Sequence, residues 1–427
     1  MTSQRVSVVG AGYVGLTTAV CFASMGHVVS CLDVDVNRID QLRAGICPIH
    51  EDGIEDLLRS GLQSGGLQFG SDPGVSVADA DFVFLCVPTP SSEDGSANLA
   101  FLHSAATAIA PHLRSGAVVI NKSTVPVGAV AFVDSALRRS DIAVASNPEF
   151  LREGTAVHDF LHPDRIIIGS EDPQVAERVA GLFETLGAPV VVTDPISAEL
   201  VKYASNAYLA TRLTFVNEIA RLCDDFGANA SDVLGGMGLD RRIGPGFLVP
   251  GPGWGGSCFP KDTAALLHSA QQVGDGFSLL AAALETNQSH FDRIVTKLSS
   301  ALDRPLSGAT IGVWGLAFKA GTDDTRESPS VAIIDRLLAL GATVNAFDPV
   351  VSSLPDRGDQ MTFAPSALEA IDEADGLLVL TEWAEFVNVD PVEVAMRLRG
   401  KVVVDGRNLL NADEYRAAGV VFVGLGQ

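Results

Sequence analysis

The sequence predicts an α/β protein in which two doubly wound domains are joined by a long central helix and a small helical domain. Three observations predict it. From Val6 to Asp194, short β-branched runs alternate with helical stretches: VSVVG, VVSCLDVD, FVFLCVPT, AVVINKST, IAVASN, RIIIGS and PVVVTD. That is the rhythm of parallel βαβ units. From Ile196 to Phe226 the rhythm stops, and one helical pattern runs on without a glycine or proline, long enough to serve as a spine between domains. After a short linker at 304–308, alternation resumes with ATIGVWG, TVNAFD, GLLVLTE, KVVVDGR and VVFVG. The expected segments are 1–195, 196–303 and 304–427, the outer two of Rossmann type.

A faint repeat supports two related outer segments. Gly26, Gly187 and Gly341 each follow a helical stretch, and each is followed seven residues later by an aspartate: Asp33, Asp194 and Asp348. A generic helix–glycine–strand unit reads the same way.

At 427 residues, with 47% hydrophobic and 19% charged side chains, the chain is long and apolar enough for two or three packed cores. A strand begins at Val6, leaving no room for a signal core, and no apolar run reaches the ~18 residues of a membrane span. A cytoplasmic, soluble protein is expected. The net charge of −23 repels nucleic acid and anionic membranes, so neither is an expected partner. Ligand phosphates must be held locally by backbone amides and aimed Arg or Lys. The cysteines, at 21, 31, 47, 86, 223 and 258, form no CxxC pair and no His-linked metal spacing. No metal is expected, and Cys21, Cys31 and Cys86 read as small buried hydrophobes.

Gly10, Gly12 and Gly15 form G-x-G-x-x-G, with Tyr13 and Val14 between the last two, directly after the first strand and before a helix. Asp33 closes the next strand, 18 residues past Gly15. In that context the glycines let a pyrophosphate approach the helix N-terminus, and the acid accepts the ribose diol while repelling a 2′-phosphate. The expected cofactor is NAD. Arg38 is a candidate neighbour of the adenine-side phosphate, or a solvated helix charge. Thr89 and Thr124, in turns that end two further strands, are candidates to border the nicotinamide half.

Cys258 lies in Gly253-Trp254-Gly255-Gly256-Ser257-Cys258-Phe259-Pro260-Lys261-Asp262. Glycines permit close approach of a ligand and a nearby cation favours the thiolate, so Cys258 reads as a nucleophile, with a structural thiol as the other reading. Lys202 and Asn206 are one turn apart on the long helix and could stabilise an oxyanion, or be a surface pair. Glu149 and Glu153 follow another strand end, as acid–base carboxylates or a solvated first turn.

These segments resemble the UDP-glucose/GDP-mannose dehydrogenase family from GAGYVG at Gly10 to DGR at Asp405. KSTVPVG, NPEFLREG, PDRIIIG, GWGGSCFPKD, GLAFKAGTDDTRESP and VVVDGRN carry the resemblance. GGSCFPKD with TEW at Thr381 is similar to the UDP-glucose branch, histidine being usual at the place of Ser257 in UDP-N-acetylmannosamine enzymes. The resemblance implies four-electron oxidation of UDP-glucose to UDP-glucuronate with NAD, through a thioester on Cys258. It implies that Lys202, Asn206 and Asp262 polarise the reacting oxygens and position water, and that Glu149 assists thioester hydrolysis. Glu153 would lie between substrate and NAD, and the stretch Glu149, Phe150, Leu151, Arg152 and Glu153 would border the sugar. Phe247, Leu248, Val249, Pro250 and Gly251, with Gly255, would form the loop over the nucleotide sugar. Phe318, Lys319 and Arg407 would grip the uridine diphosphate, Lys261 and Arg326 would contact the cofactor, and Arg242 would reach the neighbouring subunit's site in a homodimer or a higher even homo-oligomer.

Two departures from the family pattern carry expectations. Pro48-Ile49-His50-Glu51-Asp52-Gly53-Ile54 lacks the usual tyrosine and second proline, which should loosen an edge of the cofactor domain. Trp254 replaces a Tyr or Phe and should narrow the sugar pocket. The alternatives are a dehydrogenase of another sugar nucleotide, GDP-mannose or a UDP-hexose; a single-oxidation 3-hydroxyacid dehydrogenase, which needs neither Cys258 nor a second Rossmann-type domain; and a non-catalytic NAD-responsive binding protein.

Overall fold

A computed structural model of the chain describes residues 3–92, 94–355 and 358–427. The chain forms two compact units, Met1–Ser205 with Ala264–Gly274, and Asn206–Thr263 with Asp275–Gln427. Each is built around one sheet.

Among the described residues the first unit holds eight strands: β1 (Arg5–Val9), β2 (Val28–Leu32), β3 (Leu67–Gly70), β4 (Phe82–Leu85), β5 (Val118–Asn121), β6 (Ala143–Ser146), β7 (Ile166–Gly169) and β8 (Val190–Thr193). Their order is β3-β2-β1-β4-β5-β6-β7-β8. β4, β5 and β7 are buried along their whole length, which is why they read as continuous apolar runs. The alternation suggested parallel pairing throughout, but β6 and β7 meet antiparallel, at Ser146 and Gly169. The connection between them carries only the six-residue helix Ala156–Leu161, and the chain turns back there instead of crossing over. β3, the short edge strand LQFG, alternates buried and exposed side chains and was not among the expected strands.

The second unit holds β9 (Thr310–Trp314), β10 (Thr343–Phe347), β11 (Met361–Phe363), β12 (Gly376–Val379), β13 (Val402–Asp405) and β14 (Val421–Val423), in the order β11-β10-β9-β12-β13-β14. Every pair is parallel. Both sheets thus reverse strand order beside their first strand, where open α/β sheets bind ligands beyond the carboxyl ends.

The two reversal points are built alike. Gly10 follows β1 at φ 100° and Gly315 follows β9 at φ 96°. A Cβ on Gly10 would strike the Cys86 carbonyl and one on Gly315 would strike Thr381. Gly10 N donates to Leu32 O at 2.7 Å, and Gly315 N donates to Phe347 O at 2.8 Å. Asp33 then accepts Ala11 N at 2.7 Å, as Asp348 accepts Leu316 N at 2.8 Å. The glycine–strand–aspartate repeat therefore has a structural cause at Asp33 and Asp348: the carboxylate closes the turn after the neighbouring strand.

The third copy, Asp194, serves differently. Its side chain accepts Ser197 N at 2.8 Å at the start of the long helix Pro195–Phe226, whose first residue is a proline, the imino acid tolerated there. Among the described residues no helix is long and apolar enough to cross a membrane.

Candidate active site

The dinucleotide turn of the first unit fits an NAD pyrophosphate. Gly12 caps the helix Tyr13–Ser24 with no side-chain hydrogen bond, leaving the amides of that end for a ligand. A Cβ on Gly12 would meet nothing within 4 Å, so the turn is open there, whereas Gly15 is forced to be glycine by the Gly10 carbonyl against it. Asp33 accepts Asp35 N as well as Ala11 N, and Arg38 lies 3.4 Å from its carboxylate. Thr89 donates its hydroxyl to Thr124 O at 2.7 Å, joining the two turns that were expected to border the nicotinamide.

Tyr13 does more than start the helix. Its hydroxyl donates to buried Glu51, and Gly154 N reaches the same Glu51 carboxylate at 2.7 Å. The departing segment around Glu51 is thus pinned to both the glycine turn and the NPEFLREG turn. It does not loosen the domain, because the carboxylate supplies the ties.

Beyond β6, Asn147-Pro148-Glu149 is buried. Glu149 accepts Lys202 Nζ at 2.8 Å through one oxygen and Leu151 N at 2.6 Å through the other. Burial opposes ionisation of Glu149, but the ammonium of Lys202 and the hydrogen bonds outweigh it, and the carboxyl lies below its ordinary range. Lys202 is therefore no surface lysine: it is 3% exposed. Phe150 carries the Lys202 ammonium at 5.6 Å and the Arg165 guanidinium at 3.8 Å from its ring centre. Leu151 and Glu153 are half-buried. Arg152 is exposed and forked onto Asp159 at 2.6 and 3.0 Å.

In the second unit, Cys258 directly precedes the helix Phe259–Gln272 and is partly exposed. A helix N-terminus favours a thiolate. Asp262, in the first turn, is fully buried. Its carboxylate accepts Asn206 Nδ2 at 2.6 Å and Lys261 Nζ at 2.5 Å. Lys261, expected to contact the cofactor, is thus paired with Asp262.

The loop leading to Cys258 is held from several sides. Asn217 accepts Gly251 N at 2.9 Å, and His290 bonds Gly251 O at 2.9 Å. Asn287 brackets Trp254, accepting its N–H at 3.0 Å and donating to its carbonyl at 2.9 Å. Cβ atoms on Gly255 and Gly256 would strike the Glu327 carbonyl and the Phe318 ring, so these two glycines are there because neighbours press on the backbone. Trp254 itself is 5% exposed and gives its indole N–H to Thr214 at 2.8 Å. It anchors the loop; it does not narrow a pocket, because its ring is buried against the long helix.

Around that loop, Phe247 is exposed at φ 57°, Val249 is exposed, and Leu248 and Pro250 are buried. Arg407 lies against Gly251, 3.4 Å from where its Cβ would stand. The guanidinium donates to Leu380 O and Phe318 O, each at 2.7 Å, and lies 3.1 Å from Glu382. Lys319 Nζ sits 5.9 Å from the Phe318 ring centre. Arg326 is exposed and forked onto Asp324. Arg242, also exposed, is forked onto Asp240. Among the described residues no cluster of three or more His, Cys, Asp or Glu is placed to hold a metal.

Three family models match in order: the NAD binding domain at 4–187, the central domain at 196–289 and the UDP binding domain at 312–412. The chain belongs to the UDP-glucose/GDP-mannose dehydrogenase family. UDP-glucose 6-dehydrogenases of Bacillus subtilis and Pseudomonas aeruginosa are each 41% identical to it, over 99% of this chain and 93% and 98% of theirs. The structure of a UDP-glucose dehydrogenase from Pyrobaculum islandicum superposes with a TM-score of 0.92 at 38% identity, covering 100% of this chain and 98% of that one. The family motifs contain the glycines and Cys258. They left unremarked Thr214, Asn217, Asn287 and His290 behind the glycine loop, and they include Lys122 and Asn147, behind Glu149, with no role assigned to either. A polar residue inside an apolar helix face or strand end was the available signal.

Proposed function

We propose that the chain oxidises UDP-glucose to UDP-glucuronate in two successive NAD-dependent steps through a thioester on Cys258. The observation that carries this reading is Cys258 itself, partly exposed at a helix N-terminus in a loop held by the long helix and the helix Ser278–Leu302. When bound, NAD supplies the hydride acceptor for both oxidations. The glycine turn and Asp33 hold its phosphates and ribose, and the carboxylate excludes a 2′-phosphate.

In this reading, Cys258 adds as thiolate to the aldehyde formed at C6, giving a thiohemiacetal, and the second oxidation leaves a thioester. Lys202 and Asn206, one turn apart on the same helix, donate to the oxygen that becomes charged in each step. Asp262, with Asn206 on one oxygen, positions water, and Glu149, kept ionised by Lys202, takes its proton as the thioester is cleaved. Products are the carboxylate and the free thiol of Cys258. Covalent capture keeps the aldehyde bound between the two oxidations. Phe318, Lys319 and Arg407 grip the diphosphate under the Phe247–Gly251 loop.

The acting species is a homodimer. Ile196, Leu200, Tyr208, Phe215, Leu222 and Phe226 are exposed and recur on one face of the long helix, and a second copy of that stripe would cover them. Arg242 is then free to leave Asp240 for the partner's site.

The test is turnover with a panel of sugar nucleotides. UDP-glucose should give two NADH per molecule with no released aldehyde. One NADH per sugar, or a higher kcat/KM with GDP-mannose, would sink the reading.

A further inference from the structure

Lys122 follows β5 and is 4% exposed. Its ammonium donates to Asn147 Oδ1 at 3.1 Å. Asn147 in turn donates Nδ2 to Ile167 O at 2.8 Å and its backbone N–H to Asn121 O at 2.9 Å. One side-chain pair thus joins the carboxyl end of β5 to the turn that carries Glu149 and to β7. The rings of Phe84 and Phe160 lie 6.0 and 5.6 Å from Nζ. The titratable groups facing Lys122 are Cys86, Glu149, Lys202 and Cys21. Burial pushes both thiols up to about 12, so neither supplies a counter-charge near neutral pH. Glu149 is already paired with Lys202. The buried set therefore contains two lysines and one carboxylate.

A lone buried lysine is costly unless something uses its charge or its donors. We propose that Lys122 is a positioning residue for the reaction: its hydrogen bond to Asn147 fixes the turn that presents Glu149, and its charge adds to that of Lys202 beside the carboxylate. This rests on the assignment of Glu149 to thioester hydrolysis. Burial holds the Lys122 ammonium below the usual lysine range, with Lys202 acting in the same direction and Glu149 against it.

The sign of the effect separates this role from a structural strut. Removing a positive charge raises the titration of every neighbour, acid or base, so Glu149 and Lys202 must both move up. A broken strut lowers the rate and leaves those values where they were.

The sequence has six lysines, few enough for carbon-13 lysine NMR on the full chain, with signals assigned by single Lys→Arg variants. In Lys122→Met, Lys202 should titrate higher by about one pH unit, and the acid limb of kcat against pH should rise by a similar amount. Lys122→Arg, which keeps the charge, should retain the wild-type profile. An unmoved Lys202 titration in folded Lys122→Met overturns the proposal. A moved titration with an unmoved kcat profile also overturns it, by removing Glu149 from the hydrolytic step. If Lys122→Met does not fold, Lys122→Gln, which keeps an N–H donor for Asn147 but no charge, is read in the same way: an unmoved Lys202 titration overturns the proposal, and a raised one supports it.

Discussion

Cys258, Glu149 and Trp254 each allow a prediction from their own contacts. Cys258→Ala should lose the net four-electron reaction by several orders of magnitude, while still binding NAD and substrate, because no covalent route to the acid remains. Mass spectrometry after rapid quench should find an acyl adduct on the wild-type cysteine; a variant that makes the acid near the wild-type rate would refute the thioester. The Glu149 carboxyl lies below its ordinary range when folded. It therefore contributes stability that is present above about pH 4.3 and is lost as pH falls through the folded value. Urea denaturation between pH 3 and 6 should show a shallower slope for Glu149→Gln than for wild type. Trp254→Phe removes the hydrogen bond to Thr214 and part of a buried ring. It should cost about 2 kcal/mol by thermal denaturation without changing the preference among sugar nucleotides. A changed preference with unchanged stability would return Trp254 to the pocket.

At the scale of elements, the glycine turn and the loop before Cys258 were legible for different reasons. The turn declares itself because three glycines, a strand, a helix and Asp33 must occur together for a dinucleotide to approach. Asp33→Ser should narrow the preference for NAD over NADP by removing the charge that repels a 2′-phosphate; an unchanged ratio of catalytic efficiencies would disprove that role. The loop suggests a nucleophile at Cys258, but its support does not show in the sequence. Asn217 and Asn287 are polar residues on apolar faces of long helices, a pattern that marks them as buried without naming their partners. Only packing reveals that Asn287 satisfies both backbone groups of Trp254. Short edge strands such as β3 and β11 stay hidden because three or four half-exposed residues give no period to read. The expected looseness around Glu51 failed for a related reason: absent residues were visible in the sequence, whereas the bonds from Tyr13 and Gly154 were not.

For the whole molecule, the long helix carries both the pair proposed to donate to the reacting oxygen, Lys202 and Asn206, and an exposed apolar stripe. Phe215→Glu, with a charge in the middle of that stripe, should shift the species seen in analytical ultracentrifugation from dimer to monomer and lower activity in proportion. A fully active Phe215→Glu monomer would end the dimer reading and the role of Arg242 in the partner. The two related sheets have a further consequence. Asp33 is bonded to two backbone amides. Asp348 accepts five N–H groups, from Leu316, Ala317, Val350, Val351 and the Trp383 indole. A carboxylate engaged by five protein donors has no lone pair left for a ribose diol, so the second sheet repeats the architecture of a dinucleotide site without its acceptor. Titration calorimetry should accordingly count one NAD for each chain, and a count of two would mean that Asp348 exchanges its protein donors for a nucleotide.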